Sequence, residues 1–381
     1  MLVDSTGILS QKQNEMNSKS ILILLPDLHG GGAERLHLLL AKHWHAQGIK
    51  VEFALLQQRG ALLSLLPKDI RVINLGGDRI RRGIFPFARY LKKARPDIVL
   101  AAMWPLTSAA VLSWWLAGKP GRLYLSDHVQ LSISSVQELN LSPWLLASVM
   151  RLTYPSASGI IAVSEGVKQD MCRLGRFAES QVRVIYNPAA TGVSTHPEME
   201  SIRKKLWGVG FEHHILSVGT LKVQKDHATL IRAFATLPAS LNAKLTILGE
   251  GGLRAELESL IQQLGLQDKV AMPGFVVDTY PWYRTADLFV LSSRWEGFGN
   301  VIVEALECGL PVVSTDCRSG PAEILENGRI GRLVPIEDPV ALADCMAKAL
   351  TEPVDRRMLR RRAKDFTVGK IADQYLAYFA A

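Results

Sequence analysis

Short apolar runs alternate with longer helical patterns along almost the whole chain, and this alternation restricts the fold more than any other feature. Continuous apolar strands separated by helices are typical of a parallel sheet whose two faces are both covered. The first predicted helix begins near Ala33. The strands predicted in the first half are Ile21–Leu25, Val51–Leu56, Val72–Leu75, Ile98–Ala102, Leu123–Leu125, Ile160–Val163 and Val182–Ile185.

The alternation is interrupted once, at residues 187–200, where Pro188, Gly192 and Pro197 indicate a linker. It resumes with predicted strands at Ile215–Val218, Leu245–Leu248, Leu288–Leu291, Val312–Ser314 and Leu333–Val334. A chain of 381 residues has room for two domains. The sequence therefore predicts an α/β protein with two doubly wound, Rossmann-like domains that face each other across a ligand-binding cleft.

The pattern divides the chain into five segments. Their bounds are a disordered or non-native N-terminal extension (1–19), an N-terminal domain (20–190), a linker (191–200), a C-terminal domain (201–366) and a C-terminal helix (367–381). Ile371, Tyr375 and Phe379 give the last segment an apolar face at helical spacing. This face could pack on either domain.

Positive charge is concentrated in the N-terminal half. Residues 1–190 carry 22 basic and 13 acidic side chains, whereas the remainder carries 22 and 23. A dense basic patch consists of Arg79, Arg81, Arg82, Arg89, Lys92, Lys93 and Arg95. Such a patch suits nucleic acid, an anionic membrane or a phosphorylated substrate, and it could also be a solvated helix face.

Membrane-spanning and disulfide-rich classes are disfavoured. Ile98–Gly118 has no charged residue, but Pro105 interrupts it, so we interpret it as a buried strand followed by a helix from about Leu106. The N-terminus lacks the order of a secretory signal. The four cysteines have neither CxxC nor zinc-ligand spacing, which is typical of a reducing compartment.

The strongest local signal is the segment RWEGFGNVIVEALE at Arg294–Glu307. A predicted strand ends before it, a glycine-rich turn follows, and a helix is predicted from Asn300. Backbone amides at a helix start attract anions, and glycines permit close approach. Glu296 and Glu304 flank these amides, an order that suits a ligand with central phosphate and hydroxyls at both ends, such as a sugar nucleotide. Asn300 alone could be a simple helix cap.

Glu296 and Glu304 also form the E-x7-E pattern of retaining glycosyltransferases with the GT-B fold. The surrounding sequence, Ala286–Thr315, resembles glycosyltransferase family four. Three further segments follow in the family's order: GGGAERL at Gly30–Leu36, SVGTLKVQKDHATLIRAF at Ser217–Phe234 and LGEGGLRAELESL at Leu248–Leu260. The resemblance covers nearly the whole chain from Ile21.

The resemblance implies a role for each matching residue. Glu296 would bind hydroxyls of the donor sugar, and Glu304 would bind the ribose hydroxyls. Lys225 would neutralise the diphosphate, where charge develops as the nucleotide leaves. The residues implied to serve the sugar and diphosphate, largely through backbone amides, are Gly297, Phe298, Gly299, Asn300 and Val301.

One position departs from the family pattern. Thr220 stands where the family often has an arginine, directly after the glycine of this phosphate-binding segment. Lys222 could supply the missing charge, but lysine does not reproduce the bidentate binding of arginine.

Two features of the N-terminal half gain a role from the same resemblance. Gly31 and Gly32 belong to a loop implied to face the donor phosphate and the acceptor. By itself this loop is not a dinucleotide fingerprint, because Arg35 stands where the third glycine would be. His128 would lie near the reactive carbon of the donor sugar, whereas a lone histidine at such a strand end is more often structural.

The chain has no D-x-D motif, which the other large transferase fold usually uses to hold a divalent metal. We therefore expect a metal-independent site without a cofactor. Glu296 and Glu304 are not interpreted as a glycosidase pair, which would flank one scissile bond about 5–10 Å apart.

The resulting hypothesis is a retaining hexosyltransferase that uses a nucleotide sugar, expected to be a UDP-sugar, and a saccharide or polyprenyl-linked acceptor. We expect it to act in the synthesis of O-antigen, capsule or exopolysaccharide, in the cytoplasm at the inner face of the membrane, without nucleic acid. A nucleotide-sugar epimerase and a non-enzymatic nucleic-acid binder remain as alternatives. A nicotinamide-dependent dehydrogenase is disfavoured by the missing fingerprint.

Overall fold

A computed structural model of the chain describes residues 19–137, 142–192 and 199–381. It divides into two compact units. Unit 1 consists of Met1–Pro188 and Val368–Ala381, and unit 2 consists of Ala189–Thr367. The predicted extension, apart from Lys19, and residues 193–198 of the predicted linker lie outside the described residues.

Seven parallel strands form the sheet of unit 1: β1 (Ser20–Leu25), β2 (Lys50–Leu55), β3 (Arg71–Asn74), β4 (Ile98–Ala102), β5 (Arg122–Asp127), β6 (Gly159–Ala162) and β7 (Val182–Val184). Their spatial order is β3-β2-β1-β4-β5-β6-β7. This is the Rossmann order, with its switch point between β1 and β4. The seven strands predicted in this half are confirmed: Ile98–Ala102 has the predicted bounds, and the bounds of the other six differ by one or two residues.

The helices of unit 1 connect these strands. They are α1 (Gly32–Ala46), α2 (Ile80–Ala94), α3 (Leu106–Leu116), α4 (Leu131–Gln137), α5 (Pro143–Thr153) and α6 (Glu165–Gly175). The uncharged stretch from Ile98 thus forms β4 and α3, as predicted. Among the described residues, no helix combines the length and the apolar character that crossing a bilayer requires.

Six parallel strands form the sheet of unit 2: β8 (His213–Val218), β9 (Ala243–Leu248), β10 (Val270–Gly274), β11 (Leu288–Leu291), β12 (Val312–Thr315) and β13 (Arg332–Val334). Their order, β10-β9-β8-β11-β12-β13, repeats the Rossmann pattern with a switch point between β8 and β11. The strand β10 is not among the predicted strands. It lies at the sheet edge and contains Pro273 and an irregular register, so it lacks a continuous apolar run.

The helices of unit 2 are α7 (Met199–Trp207), α8 (His227–Ala235), α9 (Arg254–Gln263), α10 (Tyr280–Thr285), α11 (Asn300–Glu307), α12 (Pro321–Ile324), α13 (Pro339–Thr351) and α14 (Arg356–Ala363). Side chains from β8, β9 and β11 pack with α8, α9 and α13 in one apolar core. The predicted α/β class with two doubly wound sheets is confirmed.

The last helix, α15 (Val368–Ala380), belongs to unit 1. Its Tyr375 and Phe379 are fully buried in the core formed by β1, β2 and α1. The indole of Trp44 donates a hydrogen bond to the carbonyl of Ala372 (3.4 Å), and Arg122 donates to the carbonyl of Phe379 (2.9 Å). The apolar face that the sequence left open between the two domains is therefore covered by unit 1.

Candidate functional site

In unit 2, the residues with predicted roles follow the two strands at the switch point. β8 ends at Val218 and is followed by Gly219 and a short 3-10 turn, Val223–Lys225. β11 ends at Leu291 and is followed by the segment that carries Glu296. Because the strands are parallel neighbours, both segments leave the carboxyl edge of the sheet, where doubly wound folds bind ligands.

Lys225 and Glu296 form an ion pair at this edge. The Lys225 Nζ lies 2.5 Å from the Glu296 Oε1. Only 15% of the lysine side chain and 7% of the glutamate side chain are exposed, so solvent screens the pair weakly. The fold thus brings together two residues, 71 positions apart in sequence, that were predicted to act on one ligand.

Two serines between β11 and Glu296 support this pair. The Ser293 hydroxyl donates to the Glu296 Oε1 (2.6 Å), and the Ser292 hydroxyl donates to the Lys225 carbonyl (2.8 Å). The carbonyl of Ser293 accepts a hydrogen bond from the Thr315 hydroxyl (2.6 Å), which ties the segment to β12. Neither serine could be predicted from the sequence, because only the tertiary contacts reveal their partners.

A close backbone approach shapes the glycine-rich turn before α11. Gly299 has φ +100°, a left-handed conformation that suits glycine. Gly320, before α12, has φ +89°, and a Cβ there would lie 1.8 Å from the carbonyl oxygen of Phe298. Gly297, Phe298 and Gly299 are buried.

Three more predicted residues lie within the first five positions of α11. Asn300, Val301 and Glu304 are half-buried on this helix. Tyr283 lies near Glu304, and burial together with the Glu304 charge raises the pKa of its hydroxyl well above the usual value. Farther along the helix, the Glu307 carboxylate accepts hydrogen bonds from the Tyr280 hydroxyl (2.5 Å) and from the backbone of Gly192 (2.8 Å).

The position of the missing family arginine is exposed. Thr220 is solvent-accessible and Lys222 is half-buried next to it in the same turn. Another cation, Arg294, lies nearby in the fold, but it forms ion pairs with Asp226 (3.2 Å) and Glu337 (3.0 Å). A buried histidine behind the turn, His227, was assigned no role from sequence. Burial, followed by the charge of Lys225, lowers its pKa to about 4.

In unit 1, His128 follows the carboxyl end of β5. Its Nε2 lies 3.1 Å from the Ser126 hydroxyl, and its ring packs against His37 on α1. Burial, followed by the neighbouring His37, lowers the pKa of His128 well below its usual value, so the ring is neutral at pH 7. His37 was not predicted, because nothing in its local sequence separates it from the apolar face of α1.

The preceding residue, Asp127, is fully buried and structural. It accepts hydrogen bonds from the backbone of Trp104 (3.0 Å) and from the Tyr154 hydroxyl (2.5 Å). Burial raises its pKa to about 6. This carboxylate joins the ends of β4 and β5 and thereby fixes the backbone from which His128 projects.

The glycine loop follows β1 at the switch point of unit 1. Gly30 has φ +127°, Gly31 caps α1, and Gly32 is its first residue. Asp27 accepts hydrogen bonds from the backbone of His29 (3.2 Å) and pairs with its ring (2.9 Å). The loop thus starts a helix at the carboxyl edge of the sheet, where its backbone amides can face an anion.

The predicted basic patch occupies the exposed face of α2. Each of Arg79, Arg81, Arg82, Arg89, Lys92 and Lys93 is exposed. Phe85 lies among them with 71% of its surface exposed, whereas Phe87 and Leu91 face the core. The helix therefore presents cations together with one unburied aromatic ring.

Within residues 19–137, 142–192 and 199–381, no group of three or more His, Cys, Asp and Glu side chains is placed to hold a metal ion. The Cys317 thiol lies near Glu296 and Lys225, and burial raises its pKa strongly, so it is protonated at pH 7.

Both halves of the chain match known glycosyltransferase families. Residues 30–192 match the family described as Glycosyltransferase Family 4, and residues 199–366 match the family described as Glycosyl transferases group 1. The first range contains the glycine loop and His128. The second range contains Lys225, Glu296 and Glu304.

Two curated relatives come from Campylobacter jejuni. The chain is 32% identical over 265 residues to an N-acetylgalactosamine-N,N'-diacetylbacillosaminyl-diphospho-undecaprenol 4-alpha-N-acetylgalactosaminyltransferase, with 68% of this chain and 70% of the relative covered. It is 25% identical over 377 residues to a second α-1,4-N-acetyl-D-galactosaminyltransferase that acts on an undecaprenol-linked glycan, with 94% and 98% covered.

The fold is similar to that of HepE from Anabaena in complex with UDP, with a TM-score of 0.77, 25% identity, and 93% and 98% of the two chains covered.

Proposed function

This chain belongs to glycosyltransferase family four and has the GT-B fold, and from that premise we propose that it transfers a hexose from a UDP-sugar to a saccharide or polyprenyl-linked acceptor, with retention of configuration. The observation that carries the proposal is the Lys225–Glu296 pair at the switch point of unit 2. One residue supplies the cation that a diphosphate requires, and the other supplies the hydrogen-bond acceptor that sugar hydroxyls require.

The donor would lie along the turn that joins β11 to α11. Its diphosphate would take Lys225 and the amides from Gly297 to Val301, and its ribose would take Glu304. A helix start and a lysine favour the charge that develops on the departing nucleotide without a metal ion. UDP is the proposed nucleotide because the similar HepE structure contains it.

In the proposed reaction, the bond between the anomeric carbon and the β-phosphate oxygen breaks on the face where the acceptor oxygen attacks. The new glycosidic bond forms there, and the acceptor proton passes to the departing phosphate. Because the acceptor attacks on the face that the phosphate leaves, retention requires no carboxylate nucleophile, and the departing phosphate serves as the base. We assign to His128 a position near the anomeric carbon, where a neutral ring can accept a hydrogen bond from the sugar.

The acceptor is proposed to be lipid-linked, in the synthesis of O-antigen, capsule or exopolysaccharide. Both Campylobacter relatives are named for undecaprenol-linked acceptors. The exposed cations of α2 would attract anionic phospholipid, at about 1 kcal/mol for each Lys or Arg near the surface, and Phe85 would enter the headgroup region. We therefore propose that the protein works at the cytoplasmic face of the membrane and binds no nucleic acid.

The first test is saturation-transfer NMR of the purified protein with UDP-, GDP- and TDP-sugars, with and without EDTA. We expect binding of UDP-sugars that EDTA does not change, and its loss in the Lys225→Ala variant. An exposed lysine of the same unit, Lys269→Ala, is the matched control. Binding of another nucleotide class would replace UDP in the proposal, and binding abolished by EDTA would contradict metal independence. Donor consumption without an acceptor product would favour an epimerase.

A further inference from the structure

The Glu296 Oε1 is shared by two donors in the described structure. Lys225 Nζ lies 2.5 Å away and Ser293 Oγ lies 2.6 Å away. Glu296 is 6% exposed and Ser293 is fully buried, so water offers these groups little competition. One oxygen of the carboxylate proposed to bind sugar hydroxyls is thus occupied by the residue proposed to bind the diphosphate.

The two proposed roles therefore compete with each other while the pair is intact. An ammonium that neutralises Glu296 is not fully available to a diphosphate, and a carboxylate oxygen with two donors has little capacity left for a third. A bound diphosphate carries more negative charge than one carboxylate, so it attracts the ammonium more strongly at equal distance. Donor binding favours the transfer of Lys225 from Glu296 to phosphate.

The backbone around Lys225 fits a side-chain movement of this kind. The Lys225 amide donates to the Lys222 carbonyl (3.0 Å), and the Lys225 carbonyl accepts from Ser292 (2.8 Å), so the main chain is held at both ends. The lysine stem passes over Gly219, and a Cβ at that glycine would lie 3.3 Å from its Cγ and Cδ. The ammonium can change partner while the backbone stays in place.

Ser293, by contrast, has no such freedom. Its carbonyl is bonded to the Thr315 hydroxyl on β12 at 2.6 Å, and its own side chain is short and buried. When Lys225 leaves, the Ser293 hydroxyl still donates to Glu296. A buried carboxylate without a donor would be costly and free to rotate.

We propose that binding of the donor diphosphate exchanges the ion-pair partner of Lys225, and that Ser293 is the positioning residue that then holds Glu296 toward the sugar. This inference rests on the proposed function. Nucleotide affinity and sugar recognition can then be separated by mutation. Glu296 opposes the binding of UDP because it holds Lys225 in an ion pair, and Ser293 affects only the binding of the sugar.

The test compares the dissociation constants of UDP with those of a UDP-sugar, taken as the tightest binder among UDP-glucose, UDP-galactose and UDP-N-acetylgalactosamine. Glu296→Gln removes the carboxylate charge that holds Lys225, so we expect UDP to bind about tenfold more tightly. In Ser293→Ala, we expect UDP affinity to stay within about twofold, whereas affinity for the UDP-sugar falls about tenfold or more.

Ser314→Ala is the matched control, because Ser314 is an equally buried serine whose hydroxyl donates to a backbone carbonyl, that of Thr315. We expect it to leave both constants unchanged. Unchanged UDP affinity in Glu296→Gln would overturn the exchange, and equal losses for UDP and the UDP-sugar in Ser293→Ala would overturn the positioning role. Failure of the wild-type chain to bind any nucleotide would instead overturn the proposed function, and this inference with it.

Discussion

The imidazole rings of His37 and His128 meet edge to face, with their centroids 5.3 Å apart and their planes at 69°. The His37 Nδ1 lies 2.7 Å from the carbonyl of Ala33, in the first turn of the helix that follows the glycine loop. A carbonyl only accepts, so Nδ1 carries the proton and Nε2 is an unprotonated acceptor. His37 thereby links the start of α1 to the ring proposed to serve the donor sugar.

This histidine pair predicts loss of stability in mild acid. Burial lowers the pKa of His37 from 6.5 to about 4, and that of His128 falls well below its usual value. Between pH 6.5 and pH 4, these two histidines bind more protons in the unfolded chain than in the folded chain. The free energy of unfolding therefore decreases as the pH falls through this range. Asp127, whose pKa is raised from 3.8 to about 6, acts in the opposite direction over much of the same range and cancels part of the loss.

The measurement is the midpoint of thermal unfolding from pH 7 to pH 4. His37→Leu removes one buried titrating ring. Between pH 7 and pH 4, the free energy of unfolding of this variant should fall by up to about 3 kcal/mol less than that of the wild type, and its unfolding midpoint should also fall less. Gln374→Ala, an exposed substitution that removes no titrating group, should keep the wild-type slope. A steeper profile in His37→Leu would contradict the assignment of a neutral buried ring.

Removal of either member of the Lys225–Glu296 pair should abolish transfer while the protein stays folded. In Lys225→Ala the developing charge on the diphosphate loses its cation, and removal of one such group costs about 100- to 1000-fold in kcat. Glu296→Ala should be equally inactive because the sugar loses its acceptor. Donor turnover and circular dichroism measure the two effects, with Lys269→Ala as control. Near wild-type turnover in both variants would disprove the site.

The contact between Gly320 and Phe298 should make the glycine-rich turn sensitive to a single methyl group. Gly320→Ala adds a Cβ 1.8 Å from a backbone oxygen at φ +89°, so the turn before α11 must shift. We expect a loss of about 2–4 kcal/mol in urea unfolding, together with weaker UDP binding. Gly252→Ala, where a Cβ has open space, should be nearly neutral. Equal effects of the two substitutions would refute the steric argument.

Most of the fold could be predicted because its signal is local. Continuous apolar runs such as Ile98–Ala102 and Leu288–Leu291 need no partner to be recognised as buried parallel strands, and both are present with the predicted bounds. β10 could not be predicted this way, since Pro273 and an edge position replace the apolar run. The packing of α15 on unit 1 depends on Trp44, more than 300 residues away, which no local pattern reveals.

The site could be predicted only where its residues form a motif. Glu296 and Glu304 share one segment, and their spacing carried the prediction. Ser293 and His37 gain their importance from a hydrogen bond and a ring contact across the fold, so in sequence they resemble ordinary buried residues.

The C-terminal helix should be required for the stability of unit 1. Phe379 is fully buried, with its ring 4.6 Å from that of Tyr124 and 6.0 Å from that of Trp44. Phe379→Ala should therefore cost about 3–5 kcal/mol through lost contacts and a cavity. Urea unfolding followed by fluorescence measures the loss. Gln374→Ala, exposed on the same helix, should change little. A neutral Phe379→Ala would mean that α15 adds no stability to the unit.

The exposed face of α2 should bind anionic vesicles through two separable contributions. Arg81→Glu combined with Arg89→Glu replaces attraction by repulsion, and at about 1 kcal/mol per charge it should weaken binding to phosphatidylglycerol vesicles by tenfold or more at low salt. Phe85→Ser removes apolar contact instead, so its loss should persist at high salt. Vesicle sedimentation over a range of salt concentrations measures both.

The matched control places the same charge change on a basic helix of unit 2. Arg357 and Arg361 are exposed on α14, and Arg357→Glu with Arg361→Glu alters net charge by the same amount. If net charge alone drove binding, the two double variants would weaken it equally. Binding to phosphatidylcholine vesicles, which lack net charge, should be weak in every variant. Equal losses in the two double variants would assign membrane attraction to the whole protein and leave α2 as an ordinary solvated helix face.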